Sequence, residues 1–205
     1  MPEYDRLALP VGEAIFTQRA IRRVKPDPIP DADLKLIFEA AGRAPSAGNR
    51  QPWHFVAIKD SALKQKLQEL FVEAWWERRH RNGIHTPEQV PAHDRAALRL
   101  TTELANAPVL VLACTTAHTV PNEVLAAAQN LHLAARALGI GSTFTRLGPT
   151  VDERVKELFG IPGDAQIQYI IQLGYPQGNF GPANRKPVRE IVSLDKWGQP
   201  APFAN

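Results

Sequence analysis

Residues 108–115 read PVLVLACT. A run this short, apolar throughout and opened by a proline, reads as a strand covered on both faces rather than one with a wet side. A strand buried on both faces needs a layer on each, and the surrounding sequence supplies candidates. Residues 122–138 place Val124, Ala128, Leu131, Ala135 and Leu138 on one side of a helix, and Gly139 is a natural stop. STFTRL (142–147) reads as a strand, VDERVKELFG (151–160) as a short helix ended by Gly160, and QIQYIIQLG (166–174) as a strand with apolar residues on both faces.

Working upstream, residues 94–106 look helical, and 82–93, NGIHTPEQVPAH, read as a long loop holding two prolines. Residues 61–80 carry Leu63, Leu67, Leu70, Phe71 and Ala74 on a helical stripe, followed by Trp75 and Trp76. HFVAIK (54–59) is a weakly alternating strand. Asp31 is placed to cap a helix with Leu34, Ile37, Phe38 and Ala41 on one face, with Pro45 helping to end it, and residues 11–18 form another short helix. Strands alternating with helices predict a layered α+β or α/β domain. From Tyr175 onward Gly, Pro and Asn dominate. This predicts an extended arm whose Ile191, Val192, Leu194, Trp197 and Phe203 need a surface, most economically a partner subunit.

The chain has 205 residues, 44% apolar and 22% charged, the composition of one soluble globular domain. No apolar run of about 18 residues predicts a membrane span. The first residues, MPEYDRLALPVGEAIF, lack the basic start and apolar core of a signal peptide. Cys114 is the single cysteine, so no intrachain disulfide forms, and a cytoplasmic location fits. Its apolar setting predicts a buried structural thiol. A net charge of +3 is too small to argue for nucleic acid. The basic cluster ERRHR (77–81) is expected to end a helix, face water and favour anionic small molecules nearby.

Several chemistries lose their signatures. Gly139-Ile-Gly141 follows a helix rather than a strand, so the dinucleotide-binding turn is missing, and GxxxxGK[ST] is absent. The histidines show no HxxxH or HExxH spacing, and one cysteine makes a zinc site unattractive, so no metal is expected. There is no GxSxG elbow. What remains are three polar segments. In QRAIRR (18–23), Arg19 and Arg22 are placed to grip one phosphate between planar guanidiniums, although alone the pair also reads as a solvated helix end. In APSAGNRQPW (44–53), Ser46, Asn49 and Gln51 offer an edge of donors and acceptors suited to a flat heterocycle, and Gly48 admits close approach. The same residues also suit a turn-rich connector. In RKPVREIV (185–192), Arg185 is a third cation that a folded-back tail would bring to the same phosphate.

Taken together, RAIRR, PSAGNRQPW, QNLHLAARALGIGS (129–142), IIQLGYP (170–176) and the late Arg-Lys-Pro resemble the FMN-dependent nitroreductase family from about residue 14 to 192. The resemblance implies a central, mostly antiparallel sheet flanked by helices, in an interlocked homodimer with FMN at the interface and exchanged C-terminal arms. It implies a domain over 1–190 with an insertion at 75–93, and an arm over 191–205. It places Arg19, Ala20, Arg22 and Arg185 at the FMN phosphate. Pro45, Ser46 and Ala47, with Asn49 and Gln51 beside them, would line the flavin from the other subunit, anchored by Trp53. Thr145 and Arg146 would lie near flavin N5, and no side chain is implied as catalytic. The implied reaction is a two-step exchange in which NADH or NADPH visits as transient reductant and a small electron-poor acceptor, such as a nitroaromatic or quinone, follows it. The same fold also serves other flavin reactions (flavin fragmentation, dehalogenation, heterocycle oxidation), or simple flavin binding without turnover. Three departures stand out. Ala20 replaces a frequent Ser and so loses a hydroxyl, and Val24 replaces a common aromatic. Arg146 replaces a frequent acid, a change that is tolerable where only its backbone N–H matters and that otherwise biases the site toward anionic substrates. The 75–93 insertion, with Trp75, Trp76, His80 and His85, is expected to cover the flavin's open face.

Overall fold

The computed structural model describes residues 3–116 and 122–204. In chain order the elements are α1 (Val11–Thr17), α2 (Asp31–Ala41), β1 (Trp53–Ile58), α3 (Ser61–Arg81), α4 (Arg95–Glu103), β2 (Val109–Thr115), α5 (Asn122–Ala137), β3 (Gly141–Thr145), α6 (Asp152–Phe159) and β4 (Gln166–Gly174). The strands form one sheet in the order β1-β2-β4-β3, and every neighbouring pair is antiparallel.

All seven residues of β2 are buried, as its apolar run predicts. The period-2 geometry of a strand then sorts them between two cores. Val109, Val111 and Ala113 join Leu34, Ile37 and Ala41 of α2 and Val124, Ala128, Leu131 and Ala135 of α5. Leu110, Leu112 and Cys114 face the other way, toward Leu67 and Phe71 of α3, Leu100 of α4 and Val155 of α6. The layers are therefore helix, sheet, helix. The stripe expected on α5 is the one buried, and the helix stops where Gly139 takes φ 72°. There the amides of Gly139 and Ile140 return to the carbonyls of Arg136 (3.1 Å) and Ala135 (2.8 Å), which satisfies two terminal acceptors.

Two local expectations change. Pro30, not Asp31, is the N-cap of α2; Asp31 is its first helical residue and pairs with Lys59 at 2.6 Å. The basic cluster at the end of α3 does not all face water. Arg79 is largely covered, paired with Asp94 at 2.8 Å and lying over the Trp75 ring at 4.7 Å, because the 82–94 loop folds back onto the helix. The first seven residues of the 75–93 segment continue α3 to Arg81, as the helical reading of 61–80 expects, with Trp75 buried and His80 stacked on His85 at 5.1 Å.

The arm behaves as its composition suggests. Beyond Gly181, whose amide reaches the Thr17 carbonyl (3.3 Å), the described hydrogen bonds all close within the arm itself. Trp197 is fully exposed, and Ile191 and Phe203 are mostly so.

Candidate functional site

Arginines 19 and 22 lie on an extended segment laid against the free edge of β3. Ala20 bridges Ser142 in the parallel sense, and the Ile21 amide donates to the Ser142 carbonyl at 2.9 Å. On its other side the segment is held by the chain leaving β4. The Lys25 amide donates to the Tyr175 carbonyl (2.7 Å), and Gln177 donates its amide to Arg23 O (3.0 Å) and its side chain to Val24 O (2.8 Å). Buried Ile21 and Val24 tie it to the core, while Arg19, Ala20 and Arg22 stay exposed. Among the described residues neither arginine forms an ion pair.

Two glycines make this seat possible. A Cβ on Gly141 would stand 2.7 Å from Ile21 Cγ2, and one on Gly174 would stand 2.7 Å from Val24 Cβ and 2.9 Å from Pro108 Cδ. These are the glycines of ALGIGS and IIQLGY. Their place in the sequence follows from the close approach of the arginine segment, since any side chain there would lift it away. Beneath the seat, Ser142 Oγ lies 2.8 Å from His132 Nδ1. Burial holds the His132 imidazole down to about 4, so it is neutral near pH 7. The sequence reading passed over His132; an apolar helix face gave no signal for it.

The end of β3 carries the next pair. Thr145 is half-buried, and the Arg146 guanidinium lies over the Tyr169 ring at 5.8 Å. They border a cleft of about 380 Å³ between β3 and the helices α3 and α4. A larger groove of about 710 Å³, between the N-terminal segment and α2 and α5, is mainly apolar and holds none of the predicted site residues.

The 45–51 loop has an unusual backbone. Gly48, Asn49 and Gln51 all take positive φ, at 58°, 55° and 50°. Glycine bears this without cost, whereas Asn and especially Gln do not, and such strain concentrates at ligand sites. The loop is pinned at several points. Ser46 Oγ accepts from the Gln51 amide (2.9 Å), the Gln51 side chain donates to Asn49 Oδ1 (3.2 Å), and the Ala47 amide donates to Glu123 Oε1 (2.8 Å). Part of its polarity is thus spent locally. Pro45, Ala47, Asn49 and Gln51 remain exposed, Ser46 is half-buried, and Trp53 packs on the core as its anchor. Glu123, in the first turn of α5, clamps the loop; the sequence reading missed it.

The predicted residues therefore fall into separate groups within one chain. The loop precedes β1, and the arginines flank β3. These strands are the two outer members of the sheet, three inter-strand steps or about 14 Å apart. Among the described residues no hydrogen bond or ion pair joins the two groups. Among the described residues Arg185 bonds to neither group, its guanidinium donating to the Asn184 carbonyl at 3.0 Å. Cys114 is excluded as a nucleophile, because burial pushes its thiol up to about 11. Among the described residues no His, Cys, Asp or Glu cluster is grouped to hold a metal ion, and no helix is long and apolar enough to cross a membrane.

Comparison with known proteins finds relatives along most of the chain. A candidate NADH dehydrogenase/NAD(P)H nitroreductase of Archaeoglobus fulgidus is 32% identical over 193 residues, covering 89% of this chain and 96% of that one. An NADH dehydrogenase of Thermus thermophilus is 30% identical over 199 residues, covering 87% and 93%. The crystal structure of an oxidized iodotyrosine deiodinase bound to FMN and 3-iodo-L-tyrosine superposes with a TM-score of 0.75 at 23% identity, covering 91% of this chain and 99% of that one, which is a likeness of fold. The profile described as the nitroreductase family spans residues 15–175, from the helix before the arginine segment to the end of β4, and the chain belongs to that family.

Proposed function

We propose that the protein is an FMN-dependent oxidoreductase that takes reducing equivalents from NADH or NADPH and passes them to a small electron-poor acceptor, and that it works as a homodimer. The observation that carries this reading is the glycine-made seat holding Arg19 and Arg22, exposed and unpaired by any described carboxylate, against the edge of β3. Two arginines on a fixed backbone segment, without a partner anion among the described residues, suit a phosphate. The residues present fit FMN in two further respects: an exposed loop is held in a strained, polar conformation, and a cleft opens at the end of β3.

When bound, FMN would supply the reversible hydride chemistry linking the nicotinamide to a nitroaromatic, quinone or similar acceptor. The chain's own task is to bind and orient. Arg19 and Arg22 hold the phosphate, with Ala20 between them as exposed backbone. Thr145 and Arg146 present the end of β3 to the ring system. Pro45, Ser46, Ala47, Asn49 and Gln51 complete the ring's surroundings from a second copy, since one sheet holds the loop and the arginines on opposite edges. The arm, which bonds only to itself beyond Gly181, crosses to that copy and delivers Arg185. No side chain acts as nucleophile or base in this scheme.

The test is direct. The purified protein should be yellow, or become so with added FMN, and anaerobic mixing with NADH or NADPH should bleach it. A colourless protein that rejects FMN overturns the proposal. A yellow protein that neither nucleotide bleaches would retain the flavin and direct attention to a different flavin reaction.

A further inference from the structure

We propose that Arg136, in the last turn of α5, is the positioning residue of the arginine seat: it fixes both the segment that carries Arg19 and Arg22 and the point where the arm that carries Arg185 leaves the body. This rests on the oxidoreductase reading above and names what holds its phosphate-binding cations in place. The need arises in α1. That helix has seven residues, too few to stand by itself, and Ala14 is the only one it buries. Val11, Ile15 and Phe16 are exposed, so apolar packing within the chain does little to fix it. Gln18 ends the helix in extended geometry, and Arg19 follows at once. Whatever holds Thr17 therefore sets the start of the arginine segment.

Arg136 holds it, using both the edge and the face of its guanidinium. Its Nε donates to Thr17 Oγ1 at 2.9 Å, and a terminal nitrogen lies 3.2 Å from the Glu13 carboxylate. The Thr17 hydroxyl accepts that bond and donates its own proton to the Glu13 carbonyl at 2.6 Å. The guanidinium carbon stands 4.2 Å from the centre of the Phe180 ring. Phe180 precedes Gly181, whose amide returns to the Thr17 carbonyl. One side chain thus joins the end of α1, the arginine segment and the root of the arm.

The helix dipole favours a cation at this end of α5, but it does not select these three partners. The Glu13 carboxylate is half exposed, so its pair with Arg136 adds little to overall stability. The effect of Arg136 is on placement. One turn earlier on α5, His132 bonds Ser142, the residue to which the Ile21 amide donates, so a single helix holds the segment at two points.

Amide exchange and FMN titration of the full chain make the test. In Arg136→Gln and in Thr17→Val, the Ile21 and Gly181 amides should exchange about tenfold faster than in wild type while the β2 amides keep their rates. FMN affinity should fall about tenfold in each, and the double variant should be little worse than Arg136→Gln alone, because both changes break one contact. Thr17→Val exchanges a hydroxyl for a methyl on a half-buried residue, and so keeps the test open should Arg136→Gln fail to fold. Arg136→Lys keeps the charge but loses the fork, and should behave like Arg136→Gln. Acceleration spread evenly over the chain, unchanged exchange at Ile21 and Gly181, or full FMN affinity in Arg136→Lys overturns the role. Exchange is read without FMN. Local acceleration in the variants of a protein that rejects FMN supports the positioning role and overturns only the oxidoreductase reading. FMN binding of equal strength in wild type and every variant does the reverse.

Discussion

Replacing Gly141 with Ala tests the seat of the arginine segment. The new methyl would lie 2.7 Å from Ile21 Cγ2, 2.9 Å from Ile21 Cβ and 3.2 Å from the Gly174 carbonyl oxygen. Two of these neighbours, a branched Cβ and a main-chain oxygen, cannot swing away. Restoring ordinary contact means moving Ile21 outward by about 0.7 Å. The adjoining bond from the Ile21 amide to Ser142 O, now 2.9 Å, would then stretch to about 3.6 Å and cease to count. Overpacking of this kind costs about 1–3 kcal/mol and the lost bond about 1 more. For a chain of this size a loss of about 2–4 kcal/mol lowers Tm by roughly 4–16 °C. Because Arg19 and Arg22 flank Ile21, FMN affinity should fall by about tenfold or more with it. Thermal melts and FMN titrations of Gly141→Ala, Ile21→Ala and the double variant make the measurement. The double variant should recover part of the loss, a coupling of about 1 kcal/mol between neighbours. Wild-type Tm and FMN affinity in Gly141→Ala, or strict additivity in the double variant, would refute the reasoning.

Other outcomes are expected at other places in the fold. Arg22→Ala should weaken FMN binding by about 1.5–3 kcal/mol in equilibrium titrations, and unchanged affinity would move the phosphate elsewhere. His132 should make stability sensitive to acid. Its folded value of about 4 lies below the free 6.5, so the unfolded chain binds the extra proton first. Stability should therefore fall as pH drops from about 6.5 to 4, by up to about 3 kcal/mol. In urea titrations at pH 7 and pH 4.5, His132→Gln should lose less stability on acidification than wild type, and equal losses would discount the histidine. Removing the chain beyond Gly181 should leave far-UV dichroism unchanged, because that arm bonds only to itself, and should convert a dimer to monomers on sizing. A truncated protein that stays dimeric would remove the arm from the interface.

Much of this fold was legible because each of its strong signals has one physical cause. The apolar run of β2 had to be covered twice, and the structure divides it residue by residue between two helical layers. The α5 stripe and its glycine stop were equally plain. The placement of Asp31 went astray by one residue because proline at position 30 already supplies the extended cap geometry. Arg79 was misread because nothing local announces that a carboxylate fifteen positions later will fold back onto it. Within the site, the types of residue were readable and their constraints were not. Gly141 and Gly174 look like turn glycines in sequence, yet neither takes positive φ; they are small because Ile21 and Val24 from far away press against them. The reverse holds at Gln51, whose left-handed backbone its side chain does not betray.

The division of the candidate site across both edges of one sheet has a thermodynamic consequence. If the loop at β1 and the arginines at β3 serve one ligand, about 14 Å of intervening sheet must be bridged by a second copy. Ligand binding and association then share the same free energy, because each completes surface the other needs. Added FMN should tighten the dimer, and dilution should release FMN at a rate that follows dissociation. A monomer that holds FMN as firmly as the dimer would require the loop and the arginines to meet within one chain, and the antiparallel order β1-β2-β4-β3 gives them no route to do so.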